Sequence, residues 1–161
     1  MDEIRLIPED DPSLYEAIAN NIPEDRIEAC VLFGNLMVKV LNSSMKSGIA
    51  LAAPQVGIRE RFFVFSNGRM FLNPKITSPI STKSKTLPKY FDKPTFLDGE
   101  GCLSFPSKRV VVPRWEKIRA NWTDENRVVH TNERLSGIAS HIFQHELDHL
   151  NGVCIVPRLT T

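Results

Sequence analysis

Apolar residues recur at helical spacing in two stretches of this chain and gather in short runs elsewhere. From Glu24 to Leu41, the positions Ile27, Val31, Phe33, Leu36, Val38, Val40 and Leu41 fit an amphipathic helix. Asn42-Ser43-Ser44 and Ser47-Gly48 end it. A second periodic stretch, from Arg134 to Leu150, predicts another helix, stopped by Asn151-Gly152. Phe62-Phe63-Val64-Phe65 reads as a strand, Asn67-Gly68 as a hairpin turn and Met70-Phe71-Leu72 as the return strand. Further strands are expected at Val110-Val111-Val112, at Ile118 to Trp122 and at Arg127-Val128-Val129-His130, with a short closing strand at Val153-Cys154-Ile155-Val156. The stretch up to Pro23 is a polar, proline-punctuated arm with one helical turn after Pro12. Residues 74 to 99 hold Pro74, Pro79, Pro88 and Pro94 among Ser, Thr and Lys, which predicts a long irregular connection. The class is α+β, with antiparallel strands packed around a central helix. No repeat or linker divides residues 1–161, so one domain is expected.

Composition narrows the possibilities without naming one. Lys+Arg at 20 against Asp+Glu at 19 leaves a net charge of +1, which gives no electrostatic footprint for nucleic acid or a membrane surface. The lysines between Lys83 and Lys93 are interleaved with Ser, Thr and Pro and read as a solvated loop. The N-terminus has no basic stretch followed by an apolar one, so a secretory signal is not expected. No apolar run is long enough to span a bilayer. Three cysteines, Cys30, Cys102 and Cys154, are too few and too uneven for a disulfide framework. A reducing compartment is implied, where a thiolate can serve as a ligand. Cys30 and Cys154 read as core thiols, and His130 as a surface hairpin residue.

The sharpest chemistry lies on the second periodic segment, in Gln144-His145-Glu146-Leu147-Asp148-His149-Leu150. His145 and His149 are four residues apart, so a helix puts both on one face, where two imidazoles can share an ion. Glu146 follows the first of them and can take and return the proton of a water acidified by that ion. Asp148 is a candidate for orienting an imidazole. The alternative is a solvated helix carrying two histidines and two acids. Ile138, Ile142 and Leu150 argue against it, because they mark the helix as packed and buried His and Glu need partners. A catalytic site needs a third protein ligand and an open position. His141 continues the four-residue recurrence, but His141 and His149 would stand roughly 12 Å apart along a helix axis, too far to share one ion. His141 therefore reads as a pocket or core residue.

Three segments occur in order: Gly48-Ile49-Ala50-Leu51-Ala52-Ala53-Pro54-Gln55, Glu100-Gly101-Cys102-Leu103-Ser104 and the helix motif. Together they closely resemble the three signature motifs of the peptide deformylases, and Val112-Pro113-Arg114-Trp115-Glu116-Lys117-Ile118 and Phe71-Leu72-Asn73-Pro74 also look like that family. The resemblance runs from about Glu28 to Val156. It implies hydrolysis of the N-terminal formyl group of formyl-methionyl peptides. It implies a single divalent metal held by Cys102, His145 and His149, Fe²⁺ first and Zn²⁺ or Ni²⁺ as alternatives. Glu146 matches the family's general base, and Gln55 and the backbone N–H of Leu103 match its oxyanion donors. Gly101 matches a backbone position that pairs with extended substrate. Gly48, Ile49, Ile138, His141 and Ile142 fall where the family binds substrate and lines the pocket for the first side chain. Ala50 stands where the first motif normally has a second Gly, and His141 is polar where that pocket is usually apolar. Glu100 and Arg114 are expected to pair behind the metal loop.

The same resemblance implies N-formylated peptides as partners, ribosome-bound nascent chains among them. It implies no specific nucleic acid, no membrane and a cytoplasmic location, the host's if the chain is phage-encoded. The chain closes soon after the metal-binding helix, as in short forms known from some phages, without the C-terminal docking helix of many bacterial members. A small metallopeptidase or other amidase, or a catalytically idle metal or peptide binder, are the other classes. Glu146 and Gln55 speak against idleness.

Overall fold

The computed structural model describes residues 4–43, 48–80, 83–84 and 99–158. Two helices, α1 (Ile27–Ser43) and α2 (Gly137–Leu150), lie on opposite faces of a five-stranded sheet. Its strands are β1 (Ala50–Ala52), β2 (Phe62–Phe65), β3 (Met70–Pro79), β8 (Lys117–Thr123) and β9 (Val129–Ser136), in that spatial order and all antiparallel. Among the described residues, two small ribbons complete the set. β4 (Lys83–Ser84) pairs with β7 (Arg114–Trp115), and β5 (Glu100–Cys102) with β6 (Phe105–Val110).

Because successive strand residues face opposite ways, the apolar run in β2 serves both helices. Phe63 and Phe65 join Phe71, Trp122, Phe143, Leu147 and Leu150 beneath α2. Phe62 and Val64 join Cys30, Met37, Leu41, Met70 and Leu72 beneath α1. Phe143 meets Phe63 and Phe71 edge-on, with ring centroids 5.2 and 5.4 Å apart, which fixes how α2 sits on the sheet. Burial of β2 on both faces explains why it reads as a continuous apolar run and not as an alternation.

Several element boundaries depart from the sequence pattern. The irregular connection expected from residue 74 begins later, because β3 continues through Pro74 to Pro79. Register breaks between Leu72 and Lys75, and Asn73 has a left-handed φ of 53°. Such an irregularity is where a strand accepts a residue lacking N–H. Pro88 and Pro94 lie outside the described residues. The strand expected at residues 110–112 instead ends at Val110. The strand expected at residues 127–130 starts at Val129 and runs to Ser136, absorbing the first residues assigned to the second helix. α2 starts at Gly137, whose φ of 61° turns the chain out of the sheet.

Residues 24–26 form a 3₁₀ turn ahead of α1, and α1 takes in Asn42 and Ser43. Residues 153–156 form no strand. Val153 N–H bonds back to the Asp148 carbonyl at 2.8 Å, extending the wrap of the helix end, and Ile155 is buried beside Leu14 and Phe105. The hairpin turn between β2 and β3 is as expected: Phe65 N–H bonds to the Arg69 carbonyl across Asn67 and Gly68.

Candidate metal centre

α2 is latched at both ends before it presents any chemistry. Near its start, Ser140 Oγ donates to the Trp115 carbonyl at 2.8 Å, and midway along it the Gln144 amide accepts from Trp115 N–H at 2.9 Å and donates to the same carbonyl at 2.7 Å. At its far end, Arg61 Nη1 donates to the carbonyls of Ile18 and Leu150 and to Asn151 Oδ1. The contact with Leu150 satisfies a carbonyl that a helix end leaves open. Gly152, with φ 71°, carries the chain away where a Cβ would stand 2.7 Å from Tyr15 O. Arg61 did not stand out in the sequence, and Gln144 did so only as the first residue of the helix motif, since several of the atoms they bind belong to segments distant in sequence.

Held this way, His145 and His149 come together with Cys102. Their donor atoms all lie within 4.8 Å of one another. Cys102 Sγ is 3.3 Å from His149 Nε2, and the imidazoles are 5.0 Å apart at 71°. An ion with bonds of about 2.0–2.3 Å fits among donors so spaced, and a thiolate with two imidazoles suits Fe²⁺ or Zn²⁺. His141 is outside the cluster: it is buried, and its Nδ1 has no hydrogen-bond partner among the described residues.

A charged network backs the cluster. Glu100 Oε1 is 3.0 Å from His145 Nδ1 and 2.5 Å from Arg114 Nη2, and Arg114 Nη1 donates to Asp148 Oδ2 at 2.5 Å. The expected Glu100–Arg114 pair is therefore present and extends to His145 and Asp148 on α2. Burial works against the Glu100 carboxylate, but its bonds to His145 and Arg114 outweigh that and hold it down at about 2. Burial also disfavours charge on His145, yet the contacts with Cys102 and Glu100 raise it to about 10.

Glu146 is differently placed. It is buried, its Oε2 has no hydrogen-bond partner among the described residues, and burial pushes its carboxyl up to about 7. Gln55 sits on a 3₁₀ turn, Ala53–Val56, that follows β1. Its Oε1 accepts from Ala52 N–H at 2.8 Å. Its Nε2 points to Ser104 Oγ at 3.0 Å and Cys102 Sγ at 3.6 Å. Ser104 thus holds the Gln55 amide beside the thiol, a contact hidden in the sequence by 49 residues of separation.

Leu103 follows Cys102 and packs on the α1 side. Gly101 is exposed on β5, which among the described residues pairs only with β6. Ile49 is exposed, while Ile138 and Ile142 are half-buried on α2. At Gly48 a Cβ would stand 2.6 Å from Leu41 and 3.0 Å from Leu103, so that position keeps α1 and the thiol loop close. The Ala50 side chain is taken up in the core beneath α2.

A sequence profile described as polypeptide deformylase matches residues 4–161. The chain belongs to the polypeptide deformylase family. A peptide deformylase of Thermotoga maritima is 40% identical over 116 residues, covering 70% of this chain and 63% of that protein. The chain's aligned part thus spans less than two thirds of such relatives. Among solved structures, a peptide deformylase from Synechococcus elongatus in complex with actinonin superposes with a TM-score of 0.78 at 29% identity, covering 98% of this chain and 79% of that one. A probable peptide deformylase from Synechococcus phage S-SSM7 gives 0.75 at 29%, covering 94% and 97%. The α+β fold of this chain, with antiparallel strands and a helix carrying His145 and His149, agrees with the expectation from sequence. Among the described residues no helix is long and apolar enough to cross a membrane.

Proposed function

We propose that this chain removes the N-terminal formyl group from formyl-methionyl peptides with one divalent ion held by Cys102, His145 and His149. The observation that carries the reading is the convergence of those three donors beside a buried carboxyl oxygen of Glu146 that has no partner among the described residues. When bound, the ion supplies Lewis acidity, making water a nucleophile near neutral pH and polarising the formyl oxygen. Glu146 accepts the proton of the attacking water and returns it to the departing amine. The Gln55 amide, already aimed at the Cys102 thiol, and the Leu103 N–H donate to the oxygen on which charge develops. Gly101, exposed on a strand with one described partner, lines the substrate's backbone in extended form. Gly48, Ile49, Ile138, His141 and Ile142 receive the first side chain.

Fe²⁺ is the proposed ion, with Zn²⁺ or Ni²⁺ able to replace it, and the proposed location is the cytoplasm, acting on nascent chains. Residues 1–161 act as one domain in this reading, supported by the single sheet shared by both helices. The test is hydrolysis of formyl-Met-Ala-Ser against acetyl-Met-Ala-Ser by protein loaded anaerobically with Fe²⁺. Release of formate alone is expected. Equal cleavage of both peptides would make the chain a general amidase, and cleavage of neither, with metal bound, would make it an idle metal binder.

A further inference from the structure

A neutral imidazole that offers one nitrogen to an ion carries its proton on the other, and that N–H commonly needs an outer acceptor. For His145 the acceptor is Glu100, 3.0 Å from Nδ1. Among the described residues His149 has no carboxylate in that role. Its Nε2 faces Cys102 Sγ at 3.3 Å, so Nδ1 is turned away from the ligand set. What Nδ1 meets is the sulfur of Cys154, at 3.9 Å. The Cys154 thiol in turn donates to the Leu14 carbonyl at 3.5 Å.

The polarity of this chain of contacts is consistent from end to end. A thiol has one proton, here committed to Leu14, and sulfur lone pairs that remain free to accept. The sequence of bonds is then His149 Nδ1–H to Cys154 Sγ, and Cys154 S–H to Leu14 O. The backbone on both sides is fixed. Leu14 is buried in a 3₁₀ turn, Pro12–Tyr15. Cys154 follows the tight Gly152 turn against Tyr15 and packs in the same apolar cluster as Leu14, Phe105 and Ile155.

We propose that Cys154 is the positioning residue of His149, an outer-sphere sulfur acceptor that fixes its ring and tautomer for metal binding. The proposal rests on the reading of Cys102, His145 and His149 as ligands. Cys154 and both histidines line a cavity of about 460 Å³ that also meets Tyr15 and Arg158. Removing the sulfur gives His149 Nδ1 to whatever enters that cavity, with a looser ring.

The experiment measures zinc release to a chelator from wild type, Cys154→Ala, Cys154→Val and Cys154→Ser. The Nδ1 proton of His149 is followed by NMR on the ¹⁵N-histidine-labelled zinc forms. Loss of an outer partner typically weakens metal binding about 10–100-fold, and a sulfur acceptor belongs near the lower figure. Ala and Val should therefore release zinc about 10-fold faster and lose the protected Nδ1 proton resonance. Ser, which can accept and donate in the same way, should keep both near wild type. Val fills the space without accepting, so a wild-type rate in Val, or a Ser variant no better than Ala, would make Cys154 a packing residue and overturn the proposal. Wild-type protein that takes up no zinc, or Cys102→Ala that keeps it, would overturn the ligand reading and this proposal together. Equal release rates from zinc-loaded wild type and Cys154→Ala would overturn the proposal alone.

Discussion

His145 Nδ1 lies 3.0 Å from Glu100 and His130 Nε2 lies 2.8 Å from Asp124, so by contact geometry the two histidine–carboxylate pairs are alike. Their surroundings differ. His130 sits at the β8–β9 turn, half-buried and not fully on the surface as its sequence context suggested. It stacks on Trp122 with ring centroids 4.7 Å apart. Asp124 also accepts from the N–H groups of Asn126 and Val128, each at 2.9 Å, so the pair clips one local turn. Glu100 instead ties β5 to β7 and α2 through Arg114, Asp148 and His145, across 45 residues of sequence. Identical pair chemistry therefore does different work. A pair within one turn fixes that turn, whereas a buried pair joining three segments fixes where His145 stands.

The widest separation between the two pairs is expected from the histidines themselves. His145→Ala should lose bound metal and, with it, deformylation. His130→Ala should keep both, since its contacts stop at the hairpin. Metal content after gel filtration and formate release check this. A metal-replete His145→Ala would remove that residue from the ligand set.

Glu146 sharpens the contrast from the other side, because it is a buried acid on α2 whose Oε2 no described group satisfies. A general base typically contributes about 10²–10⁴-fold, and Glu146→Gln should lose turnover on that scale while keeping metal. Unchanged turnover with metal retained would end the base assignment. Gln55→Ala comes next, with a loss of about 10²–10³-fold in kcat, the usual cost of one oxyanion donor. KM should move less, because the bond strengthens as charge develops. A rise in KM alone would make Gln55 a binding residue.

Stability gives a smaller but cleaner separation. Glu100→Gln takes one partner from the buried Arg114 guanidinium, and breaking a buried pair costs about 3–5 kcal/mol. Asp148 still holds Arg114 Nη1, which places the expected loss near the low end. Urea unfolding of metal-free protein measures it. A loss no greater than that of Asp124→Asn would mean the Arg114 network adds nothing to the pair.

How much of this was readable beforehand follows from the range of each interaction. The two imidazoles were legible because a four-residue spacing and a helix suffice to place them. β2 was legible because residues buried on both faces leave a continuous apolar run. Cys102 needed the three motifs together, since nothing local distinguishes a ligand thiol from a core one. Cys30 illustrates the ambiguity: it is fully buried on α1, and burial pushes its thiol up to about 11. Cys154 is neither in a strand nor fully buried: Val153 N–H bonds back to the helix end at Asp148, and the chain after it forms no ladder. Pro74 misled because a bulge admits it, and Arg134 because an exposed strand end beside a helix shows no break in polarity. The contacts of Arg61, and those of Ser104 and Gln144 although both lie inside the motifs, stayed hidden because each acts on a partner remote in sequence.

The smallest expected effect belongs to the hairpin pair, and pH sets its sign. Burial opposes the Asp124 carboxylate, but His130 and the two turn N–H groups outweigh it and hold the group below its ordinary 3.8. A carboxyl depressed in the fold contributes stability above its unfolded value and loses it as pH falls through the folded one. Near neutral pH, Asp124→Asn should therefore destabilise metal-free protein, but by under about 1 kcal/mol, since a partly exposed pair confined to one hairpin is screened by solvent. The gap from wild type should narrow as pH drops below 3.8. Glu100→Gln should behave the same way with a larger amplitude and a window reaching down to about 2. Urea unfolding across that range compares the two directly. A gap for Asp124→Asn that widens in acid would mean the hairpin carboxyl is protonated more readily in the fold than in the open chain, and the two pairs would then differ in sign as well as size.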